Sequence, residues 1–521
     1  MTILQFSKAK GLDNWIKNHS THLICGVIVL LSFIVMMRYG GLRSPWYDDL
    51  ITLAFARSDR SLSEVLYRMT IGFERVPPLY FVVAVLWYRI APFGTLWLFF
   101  PSIIFTAIGM FACGMVAKRL LGNYAAVFTT IIASASSFQI ILGAFTFRHY
   151  GLLFMLSALY AYFYLRRLEE QENIKCQIAF GVTGAALAYT HHFGLFIIAA
   201  LGLCDVVLLL CKKVKFRYML AYAVSGALYI PYFIPMFLLT MEHGYFFHVP
   251  QPTIHHLHEL LLRMSGDSPM VYLFTLFGVV FIVVLAVNKY ARSYLDMDFL
   301  KLFAAGAIAF SFMVSIAFIY IYSRFLTVNS SLWEHRYFTA FLPNFLITSG
   351  IGLSFIFQVL FKEKTKQHLR LLAVVGAFTM ALWLGSETIR TVNRHANTIF
   401  QPYAEVGNWI SNHEFGRNAD TLIISRVGRF MDGSAFSYFT TQGGNISSDA
   451  RHFGNWHARW VNNALEGYFL DFINAVYIYE FPSLITFQIS DLYVLHEYFD
   501  LVYRHNEWNS NIYVFRRREL Q

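Results

Sequence analysis

Two adjacent carboxylates, Asp48 and Asp49, follow directly on the first apolar stretch, in Ser44-Pro45-Trp46-Tyr47-Asp48-Asp49. A carboxylate beside hydrocarbon is costly, so in a membrane protein it marks a working site by default. Its ordinary alternative is to cap a helix. A charged pair, Glu74-Arg75, stands before Val76-Pro77-Pro78-Leu79-Tyr80 and a second apolar stretch. Arg148-His149, His191-His192 and His335-Arg336-Tyr337 occupy the ends of later apolar stretches. Arginine presents a planar fork of donors that matches phosphate. A positioned carboxylate can take a proton from an acceptor hydroxyl, and cations stabilise charge developing on a phosphate leaving group. Together these residue types suit an anionic, membrane-bound substrate. The plain alternative for Arg148 and Arg336 is that each snorkels to lipid headgroups.

The elements that must position these residues are membrane spans. Of 521 residues 57% are hydrophobic and only 14% charged, and aromatics reach 18%. That composition belongs to a multi-span membrane protein. The net charge of +10 does not imply a nucleic-acid partner, because the basic residues fall in short clusters between apolar segments, where they report topology. Lys8, Lys10 and Lys17 precede Leu23 to Met37 with no small-residue cleavage site after it, which reads as a retained signal anchor. Cys25, Cys113, Cys176, Cys204 and Cys211 all lie in or beside apolar segments. They form neither a disulfide framework nor a CxxC zinc site.

Orientation follows from Lys118-Arg119, Arg166-Arg167 with Lys175, Lys212 to Arg217, Lys289 with Arg292, and Lys362 to Arg370. Excess Lys and Arg marks the cytoplasmic side, so the polar clusters above converge on the external face. If the loop at Arg43 is external and Lys118 internal, the segments 79–93 and 96–116 cannot both cross. We expect 79–93 to lie along or dip into the outer face, its Pro77-Pro78 start favouring a bend. The expected fold class is an α-helical polytopic membrane protein with about 11–13 transmembrane helices and a small extracytoplasmic α/β domain. The membrane domain spans 1–387, with its first external loop at 38–80, and the α/β domain spans 388–521. In the latter, 403–410 reads as an amphipathic helix start, and Thr421 to Ile424 and Asn511 to Phe515 as strands. The stretch Glu242 to Asp267, with Gly244, Pro250, Pro252 and Gly266, reads as irregular chain able to act as a lid over the cavity. Within it, His255-His256-Leu257-His258-Glu259 looks metal-like but has no matching second ligand pair nearby.

The first-loop segment Ser44 to Asp49 resembles the W-x-D-[DE] motif of the GT-C glycosyltransferases. The likeness is to the protein O-mannosyltransferase and aminoarabinose transferase branch. Glu74-Arg75-Val76-Pro77-Pro78-Leu79-Tyr80-Phe81 is similar to that branch's [EH]-[KR]-P-P-L-Y-Y segment, with Val76 inserted. Phe147-Arg148-His149-Tyr150 resembles its A-R-x-Y element, and His335-Arg336-Tyr337 with Pro343 its R-Y-x5-P element. The ordered set covers nearly the whole chain. Asp49 departs from the commoner Glu, and the inserted Val76 blurs which side chain meets the phosphate.

The resemblance implies a GT-C fold and an inverting enzyme of the inner (plasma) membrane, with a cytoplasmic N-terminus. Such enzymes move a monosaccharide from a polyprenyl-phosphate carrier to an external glycan, lipid or protein hydroxyl. By position, Asp48 is the acceptor-side base and Asp49 its support. Arg75, Arg148 and Arg336 hold the carrier phosphate, and Tyr80 lines the lipid-phosphate pocket. Glu74, His149, His192, His335 and Tyr337 complete the substrate-binding set. The cofactor expectation is the lipid-linked sugar donor itself, with a divalent metal left open and no metal ligands assigned. Partners are membrane lipids, the polyprenyl-phosphate sugar and the extracytoplasmic acceptor. Two other readings stand beside this one. A lipid-linked saccharide flippase would use the same basic residues, but inverted repeats and broken mid-span helices are not visible. A GT-C enzyme joining whole oligosaccharides is the third reading, disfavoured by the small C-terminal domain.

Overall fold

Apolar segments in hydrocarbon fold as helices because every backbone N–H and C=O must be met within the segment. The computed structural model describes residues 3–43, 45, 47–56, 61–71, 76–92, 94–243, 249, 251–288, 297–326, 331–362, 367–397, 421–425, 451–453, 475–480, 497, 499–507 and 510–518. In chain order these form α1 (Ile3–Gly40), α2 (Tyr47–Ala56), α3 (Leu62–Ile71), α4 (Leu79–Tyr88), α5 (Thr95–Leu121), α6 (Asn123–Ser134) and α7 (Ser137–Gln139). A π-helical turn at Ile140–Ala144 continues α7. There follow α8 (Tyr150–Glu169), α9 (Ile174–Thr190), α10 (Gly194–Leu210), α11 (Leu220–His243), α12 (Ile254–Met264), α13 (Pro269–Val287), α14 (Phe299–Ile321), α15 (Leu342–Lys362) and α16 (Gln367–Asn397). A 3₁₀ turn, His335–Ala340, leads into α15.

Among the described residues, five helical stretches are long and apolar enough to cross a bilayer, and α6 with α7 and its π turn, bent by 52°, adds a sixth if the pair is one span. Shorter apolar helices stand beside them. The chain is a multi-pass membrane protein. Helix α4 has 10 residues, hence a length of about 15 Å, roughly half of a hydrocarbon core. It cannot cross alone, which accords with the parity argument for 79–93.

Helix α5 packs along α8, α6 and α1. Helices α13 and α15 touch backbone to backbone. A Cβ on Gly278 would lie 2.2 Å from the Thr348 carbonyl oxygen, and one on Gly352 2.1 Å from that of Phe274. Thr275 and Ser349 share a hydroxyl hydrogen bond at the same crossing. Small residues permit this approach where no hydrophobic effect drives helices together.

At the opposite end of α8 from Tyr150, Arg167 pairs with Asp205 of α10, both fully buried. Tyr164 and Tyr222 donate to the carboxylate at 3.0 and 2.7 Å. The guanidinium also lies 3.8 Å from the ring centres of both Phe180 and Tyr218. A buried pair survives when its hydrogen-bonding capacity is largely met; the tyrosines serve the carboxylate, while Arg167 Nε has no hydrogen-bond partner among the described residues.

The stretch 242–267 is not irregular throughout. Its second half is α12, opened by a capping box in which the His256 side chain accepts from the Thr253 N–H at 2.9 Å. Helix α16 runs unbroken through residue 388 to Asn397. Beyond it lies a five-stranded mixed sheet in the order β2-β1-β3-β5-β4. Its strands are β1 (Thr421–Ser425), β2 (Arg451–Phe453), β3 (Ala475–Glu480), β4 (Phe499–Glu507) and β5 (Ser510–Arg517). Strand β1 pairs in parallel with β2 and β3, whereas β5 runs antiparallel between β3 and β4. Both strands expected from sequence are present as β1 and β5; segment 403–410 lies outside the described residues.

Candidate active site

Four separate parts of the chain meet at one end of the bundle: the start of α2, the turn before α8, the α9–α10 connection and the turn before α15. Helix α2 carries Asp48 and Asp49 in its first turn, where acidic groups complement the helix dipole. The two carboxylates then diverge. Asp48 keeps 17% of its side chain exposed and pairs with Arg336, whose side chain is 23% exposed. Asp49 is buried and accepts the Phe147 N–H at 2.7 Å. It anchors the backbone of the turn that presents Arg148 and His149.

That turn is fixed from three sides. Arg43 donates to the carbonyls of Ile141 and Phe145 at 3.1 and 2.8 Å. Gly151 lets α8 approach α5 and the π turn, since a Cβ there would meet the Ser102 and Gly143 carbonyl oxygens at 2.7 and 2.8 Å. Tyr80 shares a hydrogen bond with the Ser102 hydroxyl at 3.0 Å and sets its ring edge-on to Phe147. From this turn Arg148 reaches back to α2. Its guanidinium donates to the Asp48 carbonyl at 3.4 Å and to the Thr52 hydroxyl at 3.3 Å, and lies 5.9 Å from the Phe81 ring centre.

Beside this core stands a row of rings. The His191 ring lies 4.8 Å from that of His149 and 4.8 Å from that of Tyr337. His191 Nδ1 accepts from the Phe193 N–H at 3.1 Å. His149 is 2% exposed, and among the described residues neither of its ring nitrogens has a hydrogen-bond partner. Burial, His191 and the guanidiniums of Arg148 and Arg336 hold the His149 imidazole well below its ordinary range. Burial, His192 and the same two arginines do so for His191. Both rings are therefore neutral near pH 7, and a neutral imidazole offers one donor and one acceptor.

The remaining expected residues divide. His192 turns away, hydrogen-bonding Tyr229 at 3.2 Å and stacking on Tyr232. His335 is set among charged groups of α12, with Arg263, Glu259 and His256 acting on it along with Glu334. Tyr337 packs against His191 and Phe193, with Arg336 5.9 Å from its ring centre. Glu74 and Arg75 lie outside the described residues. Glu334, whose carboxylate approaches Arg336 Nε at 3.5 Å, went unnoticed in the sequence reading, although its place two residues before Arg336 signalled it. Among the described residues no three His, Cys, Asp or Glu side chains gather at metal-binding distance. His256 and Glu259 are engaged with Thr253 and Arg263 instead.

No family model and no curated protein sequence matches the chain. Solved structures do. ArnT from Cupriavidus metallidurans in the apo state superposes with a TM-score of 0.59 at 14% identity, over 94% of this chain and 97% of that one. The same protein bound to undecaprenyl phosphate gives 0.56 at 13% identity over the same shares. An Archaeoglobus fulgidus oligosaccharyltransferase tethered to an acceptor peptide gives 0.52 at 9% identity, over 97% of this chain and 75% of that one. Over nearly its full length, the chain has the GT-C fold.

Proposed function

We propose that the protein transfers a monosaccharide from a polyprenyl-phosphate carrier to an acceptor hydroxyl on the extracytoplasmic face, with inversion. The observation that carries this reading is the convergence of Asp48, Arg148, His149 and Arg336 from distant parts of the chain. A base and two fixed cations are the groups such a displacement needs, and a neutral imidazole with open nitrogens stands beside them. The acceptor oxygen attacks the anomeric carbon while its proton passes to Asp48. The bond from that carbon to the phosphate oxygen breaks, and its electron pair leaves with the carrier phosphate. Arg336 and Arg148, with Arg75 by sequence position, stabilise the charge that the phosphate gains. One displacement inverts the configuration and needs one base, unlike the two carboxylates of retaining hydrolases.

The Asp48–Arg336 pair gives this scheme an order of events. A carboxylate held by a guanidinium is a poor base. The phosphodiester monoanion of the donor competes for the same guanidinium fork, so donor binding draws Arg336 away and leaves Asp48 to the acceptor.

A second reading, a transporter of lipid-linked saccharides, is favoured by the 52° break between α6 and α7, because transporters use interrupted helices. One experiment separates the two. Purified protein is offered polyprenyl-phosphate mannose, glucose, galactose and aminoarabinose, with a membrane extract as acceptor source, with and without chelator. Sugar release lost in Asp48→Asn supports the transferase. No release on any donor, together with carrier movement across liposomes, overturns it.

A further inference from the structure

At the far end of α5 from the candidate site, a groove of about 640 Å³ opens between α1, α5 and α8. It is about 24 Å from Ser102 to Lys118 along the helix axis, so the groove is separate from the Asp48 cluster. Its walls are apolar, with Ile108 and Phe111 from α5 and Leu159 from α8. Its mouth is basic. Arg119 is neutralised by Glu169 and lies 5.2 Å from the Tyr162 ring centre. Lys118 is different. Among the described residues no carboxylate lies within ion-pair distance of it, and its Nζ faces both ring nitrogens of His22 at 3.4 Å.

An ammonium has three N–H donors and no acceptor. A neutral imidazole can accept only one of them, so at least two are left without an anionic partner among the described residues. An apolar slot capped by an uncompensated cation fits one kind of molecule. We propose that this groove binds an anionic phospholipid, with its phosphate at Lys118 and His22 and an acyl chain along Ile108, Phe111 and Leu159. Basic pockets between transmembrane helices recognise anionic headgroups in this way. A zwitterionic lipid fits less well, because its own ammonium would sit beside Lys118. The proposal does not depend on the transferase reading.

The test is native mass spectrometry of the full-length protein in mild detergent, offered phosphatidylglycerol and phosphatidylcholine with identical chains. Wild type should retain the anionic lipid over the zwitterionic one by roughly fivefold, the effect of one basic side chain at a headgroup. Lys118→Gln should bring the ratio to about one, and Lys118→Arg should restore it. Ile108→Trp, which fills the slot without touching charge, should expel both lipids. Equal retention by wild type overturns the proposal, as does a preference that survives Lys118→Gln. Displacement of phosphatidylglycerol by undecaprenyl phosphate in a Lys118-dependent manner overturns it too, since the groove would then serve the carrier.

Discussion

The Arg336 guanidinium closes on the Asp48 carboxylate across 288 residues of sequence. This ion pair joins the first turn of α2 to the turn that opens α15, and both partners keep some solvent contact. Asp48→Asn should lower sugar transfer by about 10²–10⁴-fold, the usual worth of a positioned general base. The variant should still fold, with a modestly lower melting temperature, because the amide can accept from Arg336 but no longer offsets its charge. Single-turnover kinetics beside thermal unfolding reads both; full activity in the variant removes Asp48 as the base.

Arg336 and Asp48 should be coupled in stability as well as in turnover. Removing either partner leaves a half-buried charge behind, at about 1–3 kcal/mol. A double-mutant cycle of Asp48→Asn and Arg336→Gln should therefore be non-additive in unfolding free energy. Additivity would show that the pair contributes nothing in solution.

Asp49 is predicted to act through backbone placement. Asp49→Asn can still accept the Phe147 N–H through its amide oxygen, whereas Asp49→Ala leaves that donor buried and unmet. The alanine variant should lose about 1–3 kcal/mol of stability and raise KM for the donor, as Arg148 and His149 drift. The asparagine variant should retain most of both. Equal effects of the two changes would instead point to a need for the negative charge.

Gly151→Ala should be destabilising by about 1–3 kcal/mol, the range for forced overpacking. The new methyl meets two backbone carbonyl oxygens, and neither can rotate away as a flexible side chain would. Unfolding with sodium dodecyl sulfate added to detergent micelles would register it; an unchanged midpoint would mean that α8 and α5 separate freely.

Stability should fall as pH drops below the ordinary histidine value near 6.5. His149 and His191 have depressed values in the folded protein, so in acid the unfolded chain binds more protons. Stability then rises with pH through that window and levels off above it. Melting curves from pH 5 to 8 should show this slope, and His149→Gln should flatten it. A slope unchanged by that substitution would assign it to other groups.

Most of the membrane architecture was legible because runs of apolar residues near span length have one low-energy fate in lipid. The sheet strands at 421 and 511 were legible through β-branched and aromatic runs. The interruption after Ser134 was not, since 124–145 carries no proline at the break; its mark is the polar run Ser134, Ser136, Ser137 and Gln139, in which the Ser136 hydroxyl accepts the Gln139 N–H. Helix α12 was hidden for a different reason. Leu257, Leu260, Leu261 and Met264 follow helical spacing, but His255, His256 and His258 with Glu259 also suit metal chemistry. At the site, the motifs named Asp48, Arg148 and Arg336 without revealing that Asp49 serves the Phe147 backbone. Of the adjacent histidines the sequence reading takes His192 for the substrate-binding set, and nothing in the residue pattern separates it from His191. The geometry of one turn sends His191 toward His149 and His192 toward Tyr229.

The buried Arg167–Asp205 pair has a consequence for biogenesis. Helix α8 is made before α10, so its last-turn arginine first stands without its counter-charge and can snorkel to the membrane interface. Only when Asp205 arrives can the guanidinium withdraw into the bundle. Closure of this end of the bundle is then a step taken by helices together, and the tyrosine cage around the pair marks its completion.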